Sequence, residues 1–264
     1  MKEELKWAFH SRGIWLAFIF MFLTLLGYSL ACWIGYIDIG ELVEYRESAL
    51  QLSIGGIFFG GFMLMLPFCT SLAHAVTQVD EMRTGMLHWR TMRASVGRYM
   101  QTKAIASALS AACATSLAFV LHAMLWNIIA EPVDIVKYPN HTIYFSSDVL
   151  YSNWYTVLHG LPVYAEMTLG IAFTAAIWAV VGLAVAVWIP DKLMVVTVPV
   201  CIYFLWREQF PYYLAGILLP YPATLFNDGL TIQSGLAAML MYLVLLAVSL
   251  AIYGVGLSRR CRNA

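Results

Sequence analysis

The chain has 264 residues, of which 61% are hydrophobic and 11% charged, against about 25% charged in an ordinary soluble domain. A water-soluble fold of this length cannot hide so much apolar surface, and 15 basic residues balanced by 15 acidic ones leave no basic excess for a nucleic-acid partner. Cys32, Cys69, Cys113, Cys201 and Cys261 are scattered without the clustered spacing of a zinc site or a disulfide framework, so no metal and no cofactor is expected on this chain.

The first element, 1–12, places Leu5, Ala8 and Phe9 on one helical face, with Trp7 at its edge and charges elsewhere. This is the pattern of an amphipathic helix lying in the membrane interface. It lacks a small-residue cleavage site and reads as retained. Six apolar segments approach the roughly 20 residues needed to span a bilayer: 14–36, 52–76, 104–129, 167–189, 193–206 and 236–257. The fifth is the shortest and carries Pro199; the stretch 211–230, broken by Pro211, Pro220 and Pro222, suits a re-entrant helix pair better than a span. The fold expected is a single all-α integral membrane domain over 1–264 with six transmembrane helices.

Orientation follows the Lys/Arg bias of the short loops. Twelve basic residues, from Lys2 to Arg262, fall on the side shared by both termini, and only Arg46, Lys137 and Arg207 fall on the other. Both termini are therefore expected in the cytoplasm of a multi-pass protein. Outside lie an acidic segment, 35–51, and a longer one, 131–163, rich in the Tyr and Trp that favour the membrane interface.

Between the second and third spans, 77–103 is too long for a simple turn. Its order of acidic start, glycine, apolar–basic run, second glycine, then Tyr99 and Lys103 predicts a short helix between two bends. Met86, Leu87, Trp89, Met92 and Val96 supply apolar contacts while Arg90, Arg93 and Arg98 stay in water. Met, Trp and Arg are enriched at protein interfaces, and the same residues also suit a basic loop held to anionic headgroups.

Ionisable groups at membrane depth are few: His122 inside the third span, and His74 near the inner end of the second, which reads as interfacial. Carriers coupled to proton or sodium gradients place carboxylates or histidines there, so ion coupling is poorly supported. His122, Glu166 at the outer start of the fourth span, and Trp154 are the candidate substrate-pathway residues. Pro67 is expected to kink the second span, and Gly56 and Gly60 form a GxxxG pair suited to close helix packing. No G-x-x-x-x-G-K-[ST] loop, H-E-x-x-H or G-x-S-x-G occurs. The chain therefore carries neither a phosphate-binding loop nor a recognisable hydrolase motif, and it reads as a transport component rather than an enzyme.

The sequence Glu81-x-x-x-Gly85, then Arg90, Arg93 to Ser95, Tyr99 and Lys103, resembles the loose pattern entering the third span of ABC-2 type exporter permeases. Leu218-Leu219-Pro220-Tyr221-Pro222 is similar to that family's re-entrant turn. The resemblance covers nearly the whole chain. It implies an amphipathic elbow helix at 1–12, a cytoplasmic coupling helix in 77–103, and a bacterial cytoplasmic (inner) membrane location. It also implies docking of Gly85, Met86, Leu87, Trp89, Arg90, Arg93 and Arg98 onto a separate ATPase that binds ATP and Mg. Six spans are half of the usual pathway, so a second permease, identical or sister, is implied along with contacts to membrane lipids. The expected activity is ATP-driven outward movement of a peptide, lipid or amphipathic drug. The alternative is a non-transporting sensor or immunity protein that binds a peptide through Tyr151, Trp154 and Tyr155.

Overall fold

The computed structural model describes residues 2–38, 49–58, 61–130, 161–208 and 232–263. They form only helices and short connections: α1 (Lys2–His10), α2 (Arg12–Asp38), α3 (Ala49–Phe58), α4 (Phe62–Thr70), a π-helical turn (Ser71–Ala75), α5 (Val76–Arg83), α6 (Met86–Arg93), α7 (Val96–Ile129), α8 (Leu161–Trp188), α9 (Lys192–Glu208) and α10 (Ile232–Asn263). The expected re-entrant pair at 211–230 and nearly all of the external segment 131–163, including Trp154, lie outside the described residues.

Five helical stretches are long and apolar enough to cross a membrane, Arg12–Ile34, Phe62–Arg83, Val96–Ile129, Tyr164–Trp188 and Leu240–Arg262, and the chain is a multi-pass α-helical membrane protein. The segment expected as a fifth span becomes α9, whose apolar part, Lys192–Leu205, is shorter than the others. At 1.5 Å per residue the 17 residues of α9 reach about 26 Å, just short of a hydrocarbon core of about 30 Å. Burial orders the bundle. Most of Tyr164–Trp188 and of Phe62–Arg83 is buried, whereas most of the first and last spans is exposed. The helices α4, α5 and α8 are thus central, and α2 and α10 line the lipid-facing rim.

The second span departs most from its sequence reading. It does not run unbroken from residue 52. Gly61, at φ 74°, starts α4 in the left-handed region that glycine enters at no steric cost, and separates it from α3. Gly56 of α3 faces Leu25 and Ser29 of α2, a contact within one chain. Pro67 sits inside α4, but the irregular stretch is the π turn four residues later. Gly13 of α2 and Gly182 of α8 press on that turn from two sides: a Cβ at Gly13 would lie 2.3 Å from the Leu72 carbonyl oxygen, and one at Gly182 would lie 2.6 Å from the Ser71 hydroxyl. Ser11 ends the elbow and caps α2, accepting the Ile14 N–H at 3.4 Å while donating to the Ala73 carbonyl at 3.0 Å. A serine at this position satisfies an otherwise orphaned helix N–H. His74, on the same turn, is buried and lines a pocket with Glu4, Trp7 and Ser11.

One end of the bundle gathers the short connections. Arg83 pairs with Asp191 at 3.5 Å and Lys192 with Asp80 at 2.7 Å, tying the α8–α9 link to α5. We call this the basic end. Beneath it Val79, Leu87, Tyr99, Leu183, Val187, Val195, Tyr253 and Leu257 form a hydrophobic cluster of their own. The 34 residues of α7 span about 51 Å, so its first turns extend beyond a core of about 30 Å.

Candidate functional site

The helix α6 is set by its two ends. Thr84 and Gly85 end α5, and Gly85 holds φ 71° with nothing within 4 Å of where a Cβ would stand; the backbone conformation, not crowding, calls for glycine there. The second bend falls at Ala94 and Ser95 rather than at Gly97. Ser95 caps α7, accepting the Arg98 N–H at 3.4 Å, and Gly97 is already inside the helix.

Between these bends the seven candidate docking residues divide. Leu87 is buried in the basic-end cluster, and Arg90 also turns inward. Trp89, Met86, Arg93 and, in the next helix, Arg98 are exposed; Trp89 is 67% accessible, Met92 65% and Met86 43%. A surface helix ordinarily buries its apolar stripe and exposes its charges. Here three large apolar side chains face out while an arginine faces in.

The Arg90 guanidinium meets a carboxylate that organises the whole end. Glu81 Oε1 receives Arg90 Nη1 at 3.1 Å and Lys103 Nζ at 2.6 Å. The Tyr99 hydroxyl bridges Glu81 Oε2 and Gln78 Oε1, at 2.9 Å from the latter, and the Tyr253 hydroxyl reaches the same Gln78 oxygen at 3.4 Å. Lys103, with 0% of its side chain exposed, also donates to Thr77 Oγ1 at 2.9 Å. From α1, Glu4 pairs with Arg90 and lies 4.0 Å from Lys103, and the guanidinium sits 5.8 Å from the Trp7 ring centre. Two carboxylates and two cations thus form a neutral cluster largely shut off from water. Burying four charges is costly unless each is paired and hydrogen-bonded, as these are. One network therefore joins α1, α5, α6, α7 and α10.

The residues quoted for the permease resemblance meet here: Glu81, Arg90, Tyr99 and Lys103 converge, with Gly85 shaping the turn that brings α6 back. The sequence did not single out Glu4, Thr77, Gln78 or Tyr253 as their partners. Glu4 is one of an acidic pair with Glu3, and nothing in the sequence distinguishes the two; Tyr253 lies inside an apolar span with nothing to mark it.

The candidate pathway residues are not at this end. His122 is buried, and its Nε2 accepts the Trp126 indole N–H at 2.9 Å with the Ser29 hydroxyl also 2.9 Å away. The indole can only donate, so His122 Nε2 is the acceptor of that bond. Trp33 packs against Trp126 with the rings tilted at 48° and 5.5 Å between their centres, beside Ala49, Leu52 and Ala130. Glu166 is exposed two residues beyond Tyr164, whose hydroxyl accepts from Asn127 at 3.0 Å. His122 and Glu166 share the end opposite α6, and no group of three metal-ligating side chains occurs among the described residues. Comparison with protein-family models, with characterised proteins and with solved structures returns no match to this chain.

Proposed function

We propose that this chain is the transmembrane permease subunit of an ATP-driven exporter of the ABC-2 type, working in a bacterial cytoplasmic membrane with a separate ATPase and a second permease. In this reading both termini and α6 are cytoplasmic, α9 crosses as the short fifth of six spans, and 211–230 is re-entrant. ATP and Mg belong to the partner, since the chain has no phosphate-binding loop. The cargo class is a peptide, lipid or amphipathic drug moved outward.

The observation that carries the reading is the construction of α6. Its inward face is fixed to four other helices through Leu87 and the Glu81–Arg90–Lys103–Glu4 cluster, while Met86, Trp89 and Met92 form an apolar outward face flanked by Arg93. A helix held this way moves with the bundle rather than independently of it. When two ATPases close on ATP, a displacement applied at Trp89 passes through Arg90 and Glu81 into α5, and thence along the second span, and through Glu4 into α1 and α2. A partner shifts such an equilibrium only through different affinity for the two states, so the Trp89 face must be held differently in each.

Purification of the tagged full-length chain in mild detergent from its own host tests this. The expected result is co-purification of a P-loop ATPase with measurable hydrolysis, and its loss in Trp89→Ala/Met92→Ala with elution and thermal stability unchanged. A chain that emerges without an ATPase under conditions that preserve other membrane complexes overturns the proposal, as does full capture by the double variant.

A further inference from the structure

The far edge of the basic end carries a second feature, on the side of α6 away from its exposed Trp89. The exposed residues Leu240, Val244, Val248, Ile252 and Val255 recur every three or four positions along α10, forming one lipid-facing stripe. Arg259 and Arg262 continue the same spacing onto the same face and are exposed. From Leu240 to Arg259 the stripe runs about 28 Å, close to the hydrocarbon thickness of about 30 Å. The arginines therefore stand at the headgroup level where the apolar face ends.

Beside them is a cleft of 510 Å³ between α6, α8 and α10, lined among others by Leu87, His88, Trp188, Gly256, Arg259 and Arg260; small-ligand sites fall at about 300–1,000 Å³. Its walls are closely built. A Cβ on Gly256 would stand 2.6 Å from Val187 and 2.8 Å from the Trp188 indole nitrogen, and that indole donates to the Ile252 carbonyl at 3.2 Å. The Arg259 guanidinium lies 5.5 Å from the Trp188 ring centre. Arg260 is engaged otherwise, donating to the Val187 carbonyl and, at 3.3 Å, to that of Trp188, so it caps the end of α8. Arg83, Arg90, Lys103 and Lys192 at this end each meet a carboxylate; Arg259 and Arg262, like Lys6, Arg12, Arg93 and Arg98, meet none among the described residues, and Arg262 donates only to the Ser258 carbonyl of its own helix, at 3.4 Å. What sets Arg259 apart is its place on the cleft wall.

We infer that the edge of this cleft, where Arg259 on its wall meets the exposed α10 stripe, is a binding site for an anionic phospholipid, its phosphate at Arg259 and at Arg262 one turn further along, and an acyl chain on the stripe beside the cleft, along Val255, Ile252 and Val248. A basic pocket between helices at the headgroup level suits such a lipid, and the apolar stripe distinguishes it from a site for soluble phosphate. The site needs no ATPase, so its test is independent of the exporter reading.

Native mass spectrometry of the purified full-length chain, titrated with phosphatidylglycerol or phosphatidylcholine in neutral detergent, reads the preference directly. At about fivefold per arginine near a charged headgroup, phosphatidylglycerol is expected to bind roughly thirtyfold more tightly. Arg259→Gln/Arg262→Gln should bring the two lipids to near parity, while Arg259→Lys/Arg262→Lys retains most of the preference. Equal binding of both lipids by the native chain overturns the inference whatever the variants do. So does an undiminished preference in the glutamine variant. Displacement of phosphatidylglycerol by excess inorganic phosphate would show a phosphate site and overturn the lipid assignment.

Discussion

Replacing Lys103 by methionine keeps the stem and removes the charge that sits 2.6 Å from Glu81 Oε1. The side chain is fully buried, so no water takes over the lost interaction. Breaking a buried ion pair by removing one partner costs about 3–5 kcal/mol. Glu81 keeps Arg90 at 3.1 Å and the Tyr99 hydroxyl, which argues for the lower end, about 3 kcal/mol. For a chain of this size each kcal/mol moves Tm by about 2–4 °C, giving a drop of about 6–12 °C. Removing both charges, as in Glu81→Gln/Lys103→Met, leaves Glu4 and Arg90 as a balanced pair and should recover most of the loss. The resulting coupling energy is about 2–3 kcal/mol, in the range found for residues sharing one network. The assay is thermal unfolding in mild detergent at fixed scan rate, followed by tryptophan fluorescence, for the native chain, both single variants and the double. A Lys103→Met Tm within about 2 °C of native, or strict additivity in the double variant, would refute the argument that these charges form one buried unit.

Three further outcomes follow from the same geometry. Gly85→Ala forces a Cβ into the left-handed region at a cost of about 1–2 kcal/mol, and Gly85→Asn costs less; because nothing crowds the position, a Gly85→Ala protein as stable as the native one would contradict the backbone explanation. Trp89→Ala removes an exposed aromatic from the proposed docking face, so on that proposal it should weaken ATPase capture by about 2 kcal/mol, roughly thirtyfold, without lowering Tm, whereas Arg90→Ala should lower Tm; equal stability of the two variants would contradict the inward and outward division of α6. If α6 and the C-terminal end face the cytoplasm as proposed, single cysteines at Arg98 and Arg262, in a background without native cysteines, should react with a membrane-impermeant maleimide only after the membrane is opened; labelling of intact cells at either position would contradict the proposed orientation.

Five crossing helices were legible because hydropathy over about 20 residues is a strong signal, and α6 because Gly85 precedes a basic–apolar run. The seam at Gly61 was hidden inside an apolar stretch that reads as one span. The π turn at Ser71–Ala75 has no sequence signature beyond Pro67 upstream; it is accommodated by Gly13 and Gly182, which come from distant helices. Pro199 and the short apolar run marked 193–206 as the weakest candidate span, and the apolar helix found there, Lys192–Leu205, is shorter than the five stretches long enough to cross a membrane. The ion cluster was the least legible part. Glu4 and Arg90 are 86 positions apart, and no periodic pattern relates them. Helical periodicity told that α6 has two faces but not which would turn inward, because the polar-out rule gives the opposite answer to the one observed. Tertiary partners decide it: Glu81 and Lys103 wait on the inside for Arg90, and Leu87 fills the cluster below.

The most direct test of the central claim is a photo-crosslinking amino acid placed at position 89 of the full-length chain in its native membrane, with the same group at Leu243 on the lipid-facing rim as control. The account predicts that irradiation joins position 89, and not position 243, to a cytoplasmic P-loop ATPase, with a yield that changes when ATP is trapped. Crosslinks from position 89 to lipid alone, in cells that express the native partners, would contradict it.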